Sequence, residues 1–126
     1  MLDGEGMAYD RDNIFARILR GEIPCDKVYE DAHTLAFRDI HPQAPVHVLV
    51  IPKGEYVSLD DFTATASAEE QAALMQALGP VARREGVADS GYRVIANSGP
   101  ASHQDVQHLH FHVLGGRNLG AMLLHR

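Results

Sequence analysis

The segment from His108 to Leu114 reads His-Leu-His-Phe-His-Val-Leu and constrains the fold more than any other part of the chain. Side chains of a β-strand point alternately to opposite faces of the sheet. The pattern therefore predicts a strand with Leu109, Phe111 and Val113 on one face and three histidines on the other. Because an apolar face has to be buried, a helix is expected to cover it.

Hydrophobic periodicity and turn residues predict the other elements. A short helix is expected after a cap at Asp12, ending at Gly21, and a longer helix begins at Ser67 with a capping box. Pro80 lies inside the apolar stripe of the longer helix, which predicts a kink there or an end at Leu78. That stripe comprises Leu74, Met75, Leu78, Val81 and Ala82. Strands are predicted over 27–30, 34–38, 46–51, 92–96 and 106–114.

This order of elements predicts an α+β fold, an antiparallel sheet of about five strands with two helices packed on one face. A length of 126 residues fits a single domain. We expect residues 1–10 to form a disordered extension and 11–126 to form the domain, with a C-terminal tail over 117–126. A homodimer is expected, because a small sheet leaves an edge or a helix face that a second copy can cover.

Composition excludes several classes of partner. The net charge is −6 and no cluster of lysine and arginine relieves it, so nucleic acid is not expected as a partner. No apolar run approaches the roughly 20 residues that span a bilayer, so no membrane partner is expected. The start lacks the features of a signal peptide and Cys25 is the only cysteine, which together predict a cytoplasmic location.

Three imidazoles on one strand face suit two kinds of chemistry. They can bind a metal ion, or one of them can act as a nucleophile when a hydrogen bond at its second nitrogen orients the ring. A metal site would need a nearby carboxylate, and strand alternation places Asp105 on the opposite face. We therefore expect no metal and no other cofactor, with a cupin-like metal enzyme as the alternative.

The histidine segment resembles the His-φ-His-φ-His-φ-φ signature of the histidine triad family. Gly115-Gly116-Arg117 is similar to the sequence that follows it in the Hint branch of nucleotide phosphoramidases. The segment from Phe37 to Lys53 resembles the other core segment of that branch, and Asn13 to Pro24 resembles its N-terminal helix. The similarity covers Asn13 to Arg117, nearly the whole chain.

The resemblance implies a role for each of four histidines. His110, the middle one of the triad, would attack the α-phosphorus of a nucleotide and form a nucleotidyl-histidine that water hydrolyses. His108 and His47 would hold and polarise this nucleophile. His112 would contact the phosphate or the leaving group.

The resemblance also implies a nucleotide-binding set. Asp39 would grip the ribose hydroxyls, Asn97 and Gln104 would face the phosphate, and the apolar base pocket would include Ile18, Phe37 and Ile40. The family often has Gly-Gln and a hydroxyl residue before the triad, where this chain has His103-Gln104-Asp105. A carboxylate there would either repel a phosphate or help to transfer a proton to the leaving group.

The leading hypothesis is a hydrolase of purine nucleoside phosphoramidates and related AMP conjugates, working as a homodimer. The first alternative is a dinucleoside polyphosphate hydrolase with the same histidine chemistry. The second is a protein that binds nucleotides with little turnover.

Overall fold

The protein was analysed as a computed structural model, which describes residues 8–123. Predictions for residues 1–7 and 124–126 therefore lie outside the described part. Secondary structure occurs in the order α1 (Ile14–Leu19), β1 (Lys27–Glu30), β2 (Thr34–Arg38), β3 (Val46–Pro52), α2 (Leu59–Thr65), α3 (Ala68–Arg84), β4 (Tyr92–Ala96), a 3₁₀ turn (Pro100–Ser102) and β5 (Phe111–Gly115). No helix in this part of the chain is long and apolar enough to cross a membrane.

The five strands form one sheet in the order β1-β2-β3-β5-β4, and all neighbouring strands are antiparallel. The predicted α+β class and strand number are confirmed. Strand β5 lies between β3 and β4, where His112 is paired with Leu49 on one side and Ile95 on the other. The histidine-bearing strand is thus an interior strand, which fixes its faces firmly.

Helix α3 covers one face of the sheet. Its capping box is present, with Ser67 and Glu70 each satisfying a backbone N–H of the other. The helix buries Leu74, Ala77, Leu78, Val81 and Ala82, and the first four share a core cluster with Val48, Val50 and Val113 of the strands and with Leu109. Met75 was wrongly placed in this stripe, because its side chain is 63% exposed.

Pro80 does not end helix α3, which continues to Arg84. The predicted end at Leu78 is therefore wrong, whereas a kink at Pro80 stays a prediction. The residue before it is Gly79, which has no Cβ to clash with the proline ring. Burial of Val81 and Ala82 beyond the proline stabilises the last turns.

Helix α1 packs on the opposite face, so the prediction that both helices share one face was wrong. Phe15 contacts a cluster formed by Leu35, Phe37, Leu49 and Ile51, whose side chains point away from α3. The cap of α1 is Asn13 and not Asp12: the Asn13 side chain accepts from the Ala16 N–H at 2.9 Å. The short helix α2, with only one buried apolar side chain, was not predicted.

Strand β5 begins at Phe111, five residues later than predicted. Strand β4 ends at Ala96, opposite Phe111, so the residues before Phe111 have no partner on that side. They are held by loop contacts instead, and the Leu109 N–H donates to the Tyr56 carbonyl at 2.9 Å. The alternation of faces nevertheless continues through this segment, because Leu109 is fully buried with Val113 on the α3 side.

Candidate active site

The alternation of faces brings the histidines together on the α1 side of the sheet. His47, His108 and His110 are buried, with at most 4% of their surface exposed, and His112 is half-buried. The ring centres of His110 and His112 are 5.0 Å apart, and those of His47 and His112 are 5.2 Å apart. Four predicted catalytic side chains therefore form one cluster.

The ring of His110 is oriented by a backbone carbonyl. Its Nδ1 lies 2.8 Å from the carbonyl oxygen of His108. A carbonyl only accepts, so Nδ1 carries the hydrogen and Nε2 has the free electron pair when the ring is neutral. This is the arrangement that a nucleophilic imidazole requires. Phe15 packs its edge against the ring, with centres 5.0 Å apart, and limits its tilt.

His108 uses both ring nitrogens for structure. Its Nε2–H donates to the Pro52 carbonyl at 2.8 Å, so Nδ1 is an acceptor, and the Tyr9 hydroxyl donates to it. Burial lowers the pKa of His108 to about 4. The ring is therefore neutral near pH 7. Its two hydrogen bonds fix the position of His108, whose own backbone carbonyl orients His110.

His47 and His112 form a chain of hydrogen bonds with a defined direction. The Gln43 N–H donates to Nδ1 of His47 at 3.1 Å, so the hydrogen of His47 is on Nε2 and is donated to Nδ1 of His112 at 2.9 Å. His112 is left with an Nε2–H donor. Burial lowers the pKa of both rings, that of His112 to about 4, aided by the neighbouring His110.

Asp39 and Ile40 lie at the end of β2, beside His47. An oxygen of the Asp39 carboxylate is 3.5 Å from Nε2 of His47, and the other accepts from the His41 N–H at 2.9 Å. Ile40 is 78% exposed, which is unusual for a large apolar residue beside a polar cluster. Together they present a carboxylate acceptor and an apolar surface next to the histidines.

Phe37 and Ile18, two of the predicted base-pocket residues, do not line the groove that contains His47 and His112. Phe37 is buried in the core beneath Phe15. Ile18 lines a groove of about 450 Å³ with Leu19 and Cys25, and that groove's lining contains none of the four histidines. The prediction that these two residues belong to a base pocket came from the resemblance, and it stays a prediction.

Gln104 has a different task from the predicted contact with phosphate. Its amide nitrogen donates to the carbonyls of Val57 and Val106 at 2.6 and 3.0 Å, and its oxygen accepts from the Gly99 N–H at 3.0 Å. The side chain is thus committed to the loop that precedes the triad. Asn97 stays near the site, since it lines a groove of about 280 Å³ with His47 and His112.

A larger groove of about 800 Å³ lies at the other end of β4 and β5, between the start of β4 and the C-terminal tail. Its lining contains no histidine. We place the chemistry beside the groove of about 280 Å³, because His47 and His112 line it and the ring of His110 lies 5.0 Å from that of His112. The described part of the tail folds back on its own chain, where Arg93 donates to the Gly120 carbonyl at 2.8 Å.

Asp39, His47 and His112 are also a candidate metal centre, because their ligand atoms all lie within 4.8 Å of one another. A metal ion there would have to displace the hydrogen bond between the two histidines. The sequence argument against metal was wrong in one respect. The strand does not extend to Asp105, whose carboxylate lies 3.4 Å from Nε2 of His110.

Tyr9 is a site residue that the sequence analysis missed, since it falls in the extension predicted to be disordered. Its hydroxyl donates to His108 and its ring packs edge-on against that histidine, with centres 5.5 Å apart. The domain therefore begins before residue 11. The available signal was weak: a tyrosine shortly before a capped helix.

Replacing Tyr9 by phenylalanine is expected to lower the free energy of unfolding by about 1 kcal/mol, because Nδ1 of buried His108 loses its donor. The turnover number should fall severalfold, while KM changes less, because Tyr9 acts through His108. Urea denaturation and steady-state kinetics measure both effects. The matched control is Tyr92→Phe, whose side chain is 40% exposed on β4. Equal behaviour of the two variants would contradict the role assigned to Tyr9.

The free energy of unfolding is expected to fall as the pH is lowered from about 7 to about 5. His108 and His112 have folded pKa values near 4, whereas unfolded histidines titrate at about 6.5. Their stabilisation is therefore complete above about pH 6.5 and is lost toward pH 4. For His108 the loss is on the order of 3 kcal/mol. Urea denaturation across this range should give a shallower dependence for His108→Asn, and an unchanged slope would contradict the account.

Comparisons with known proteins agree with this geometry. Residues 20–119 match the family model of the HIT domain. A HIT-like protein of Azospirillum brasilense, described as uncharacterized, is 59% identical over 115 residues, which are 91% of this chain and 94% of that protein. The purine nucleoside phosphoramidase of Escherichia coli is 45% identical over 118 residues, covering 91% of this chain and 96% of the enzyme.

A solved structure shows the same fold. The HIT family hydrolase from Clostridium thermocellum is 38% identical and superposes with a TM-score of 0.84, covering 91% of this chain and 99% of that one. The family match spans most of the chain, and the resemblance drawn from the histidine segment is confirmed. The chain belongs to the HIT family of hydrolases and carries the histidines of its triad as one oriented cluster.

Proposed function

We propose that the protein hydrolyses purine nucleoside phosphoramidates and related AMP conjugates through a nucleotidyl intermediate on His110. One observation carries the proposal. The His108 carbonyl accepts from the Nδ1–H of His110, so the free electron pair is on Nε2, at the opposite side of the ring. Dividing one displacement into two lowers each barrier. The name of the Escherichia coli relative supports the choice of substrate.

In the first step, Nε2 of His110 attacks the α-phosphorus and the bond from phosphorus to the leaving amine breaks. The amine departs with the electron pair and takes up a proton from solvent. The histidine gains a positive charge without having to lose a proton, and the His108 carbonyl at Nδ1 stabilises that charge. The Nε2–H of His112 is the donor for a phosphate oxygen, since its other nitrogen is already occupied.

In the second step, water attacks phosphorus and releases a proton to solvent, the bond to Nε2 of His110 breaks with its electron pair returning to the ring, and AMP and the free histidine result. The Asp39 carboxylate is proposed to accept the two ribose hydroxyls, and Ile40 is proposed to contact the base. Asn97 is proposed to face the phosphate from the end of β4. No step requires a metal ion.

The substrate class can be tested by comparing adenosine 5′-phosphoramidate with a diadenosine polyphosphate, each with and without a chelator. Faster release of AMP from the phosphoramidate, unaffected by the chelator, is the expected result. Faster cleavage of the polyphosphate would favour the alternative P–O–P hydrolase. Loss of activity with chelator, restored by metal, would instead assign a catalytic metal to Asp39, His47 and His112. Binding of AMP without turnover of either substrate would favour a binding protein.

We also propose a homodimer joined along β4. This strand ends the sheet in the described chain, so one of its edges carries unpaired backbone groups. Tyr92 and Val94 on it are 40% and 38% exposed. A second copy would cover both features. Light scattering should report twice the chain mass at micromolar concentration, and a monomer would contradict this.

A further inference from the structure

The carboxylate of Asp105 lies beside the reactive nitrogen. Its Oδ1 is 3.4 Å from Nε2 of His110, the nitrogen that has the free electron pair. The same oxygen accepts from the Val106 N–H at 3.0 Å, so it is held on that side. The side chain of Asp105 is 79% exposed, whereas that of His110 is 2% exposed. The carboxylate therefore lies beside the buried nucleophile and is itself open to solvent.

The loop that positions Asp105 is firmly tied. The neighbouring Gln104 is buried and makes three hydrogen bonds to the backbone of Val57, Gly99 and Val106. His103 reverses the chain just before it, with a φ of 61° in the left-handed region. A non-glycine residue held there has its conformation imposed by its surroundings. Asp105 is thus held beside His110 by a loop that is tied to the rest of the fold.

The charge of Asp105 is not neutralised by a basic side chain within residues 8–123. Its contact there is with the ring of His110, and no lysine or arginine of that part lies within salt-bridge distance. A phosphorus atom in position for attack lies roughly 3–3.5 Å from Nε2. The carboxylate is then within about 7 Å of phosphorus and near the groups attached to it. At such distances an unpaired charge discriminates between substrates of different charge.

We propose that Asp105 determines specificity for the leaving group: it favours phosphoramidates whose amine bears a second, positively charged group and disfavours those bearing a negative charge. The inference rests on the proposed function, and it concerns the part of the substrate that differs between AMP conjugates. The α-phosphate is common to all of them, so its repulsion by Asp105 lowers every rate by the same factor. The ratio of rates between two conjugates then depends on the charge of the leaving group. Anionic leaving groups, including phosphate chains, are selected against.

Three adenosine 5′-phosphoramidates of equal chain length test the proposal: one with an ammonium at the end of the amine, one with a carboxylate and one with a neutral methyl group. The wild type should show a higher kcat/KM for the ammonium substrate than for the carboxylate substrate. Asp105→Asn keeps the shape and an acceptor for Val106 but removes the charge. It should reduce that ratio by roughly tenfold.

Added salt should also shrink the ratio in the wild type and have little effect in the variant, because Asp105 is exposed to solvent. The matched control is Asp89→Asn, which makes the same change in net charge in the exposed turn before β4, at the opposite end of the strand from His110. This control should leave the ratio as it is in the wild type.

Two failures can be told apart. If the wild type cleaves the neutral phosphoramidate but Asp105→Asn leaves the ratio unchanged, or changes both charged substrates equally, the role of Asp105 is overturned and the proposed function stands. If the folded wild type cleaves none of the three, the proposed function and the role of Asp105 both fail.

Discussion

Replacing His110 by alanine is expected to lower kcat for phosphoramidate hydrolysis by a factor of about 10⁴ or more. The variant loses the atom that bonds to phosphorus, and no neighbouring histidine can substitute for it. His108 uses both ring nitrogens in hydrogen bonds, and Nδ1 of His112 accepts from His47. Steady-state kinetics with adenosine 5′-phosphoramidate measure the effect.

The affinity for AMP should change far less than kcat, because Asp39 and His112 remain in place. Calorimetric titration of the His110→Ala variant with AMP therefore distinguishes lost chemistry from lost folding. The matched control is His33→Ala, since His33 lies in the turn between β1 and β2, close to Glu69 of helix α3. A His110→Ala variant within about tenfold of wild type would contradict nucleophilic catalysis by this residue.

Replacing Leu109 by alanine is expected to lower the free energy of unfolding by about 3 kcal/mol. Leu109 is fully buried and packs in the core beneath helix α3, between two histidines of the site. Its truncation removes apolar contacts with the core and leaves a cavity beneath helix α3. Urea denaturation with an unchanged m-value measures the effect.

Met75→Ala is the matched control for Leu109→Ala. Met75 lies on helix α3, but 63% of its surface is exposed, so its truncation should cost no more than about 0.5 kcal/mol. Similar losses for the two variants would show that the apolar side of the histidine segment does not anchor the site to the core.

The sequence predicted the strands of the sheet better than it predicted the helices and loops around them. Alternation of histidine and apolar residues assigns faces correctly from Leu109 to Val113, because the strand period of two depends only on backbone geometry. The capping box at Ser67 is equally local. The start of β5 was predicted too early. It lies opposite the last residue of β4, Ala96, and the sequence around the histidines does not show where another strand ends.

The candidate site shows the same division. The cluster of histidines follows from alternation and from the pairing of β3 with β5. The contacts of Tyr9 and Asp105 do not follow from strand alternation. Tyr9 reaches His108 from the segment before α1, and loop hydrogen bonds hold Asp105. The position of α1 on the histidine side was also not predictable, because an apolar stripe shows that a helix packs on a sheet but not on which face.

The central claim is that His110 forms a covalent bond to phosphorus, and the most direct measurement is the mass of the protein during turnover. Wild type mixed with excess adenosine 5′-phosphoramidate, stopped within a turnover under alkaline denaturing conditions, should gain the mass of one adenylyl group. Peptide mapping should place it on His110, and His110→Ala should gain none. Rapid release of AMP with no adduct on any histidine would contradict the account and indicate direct attack by water.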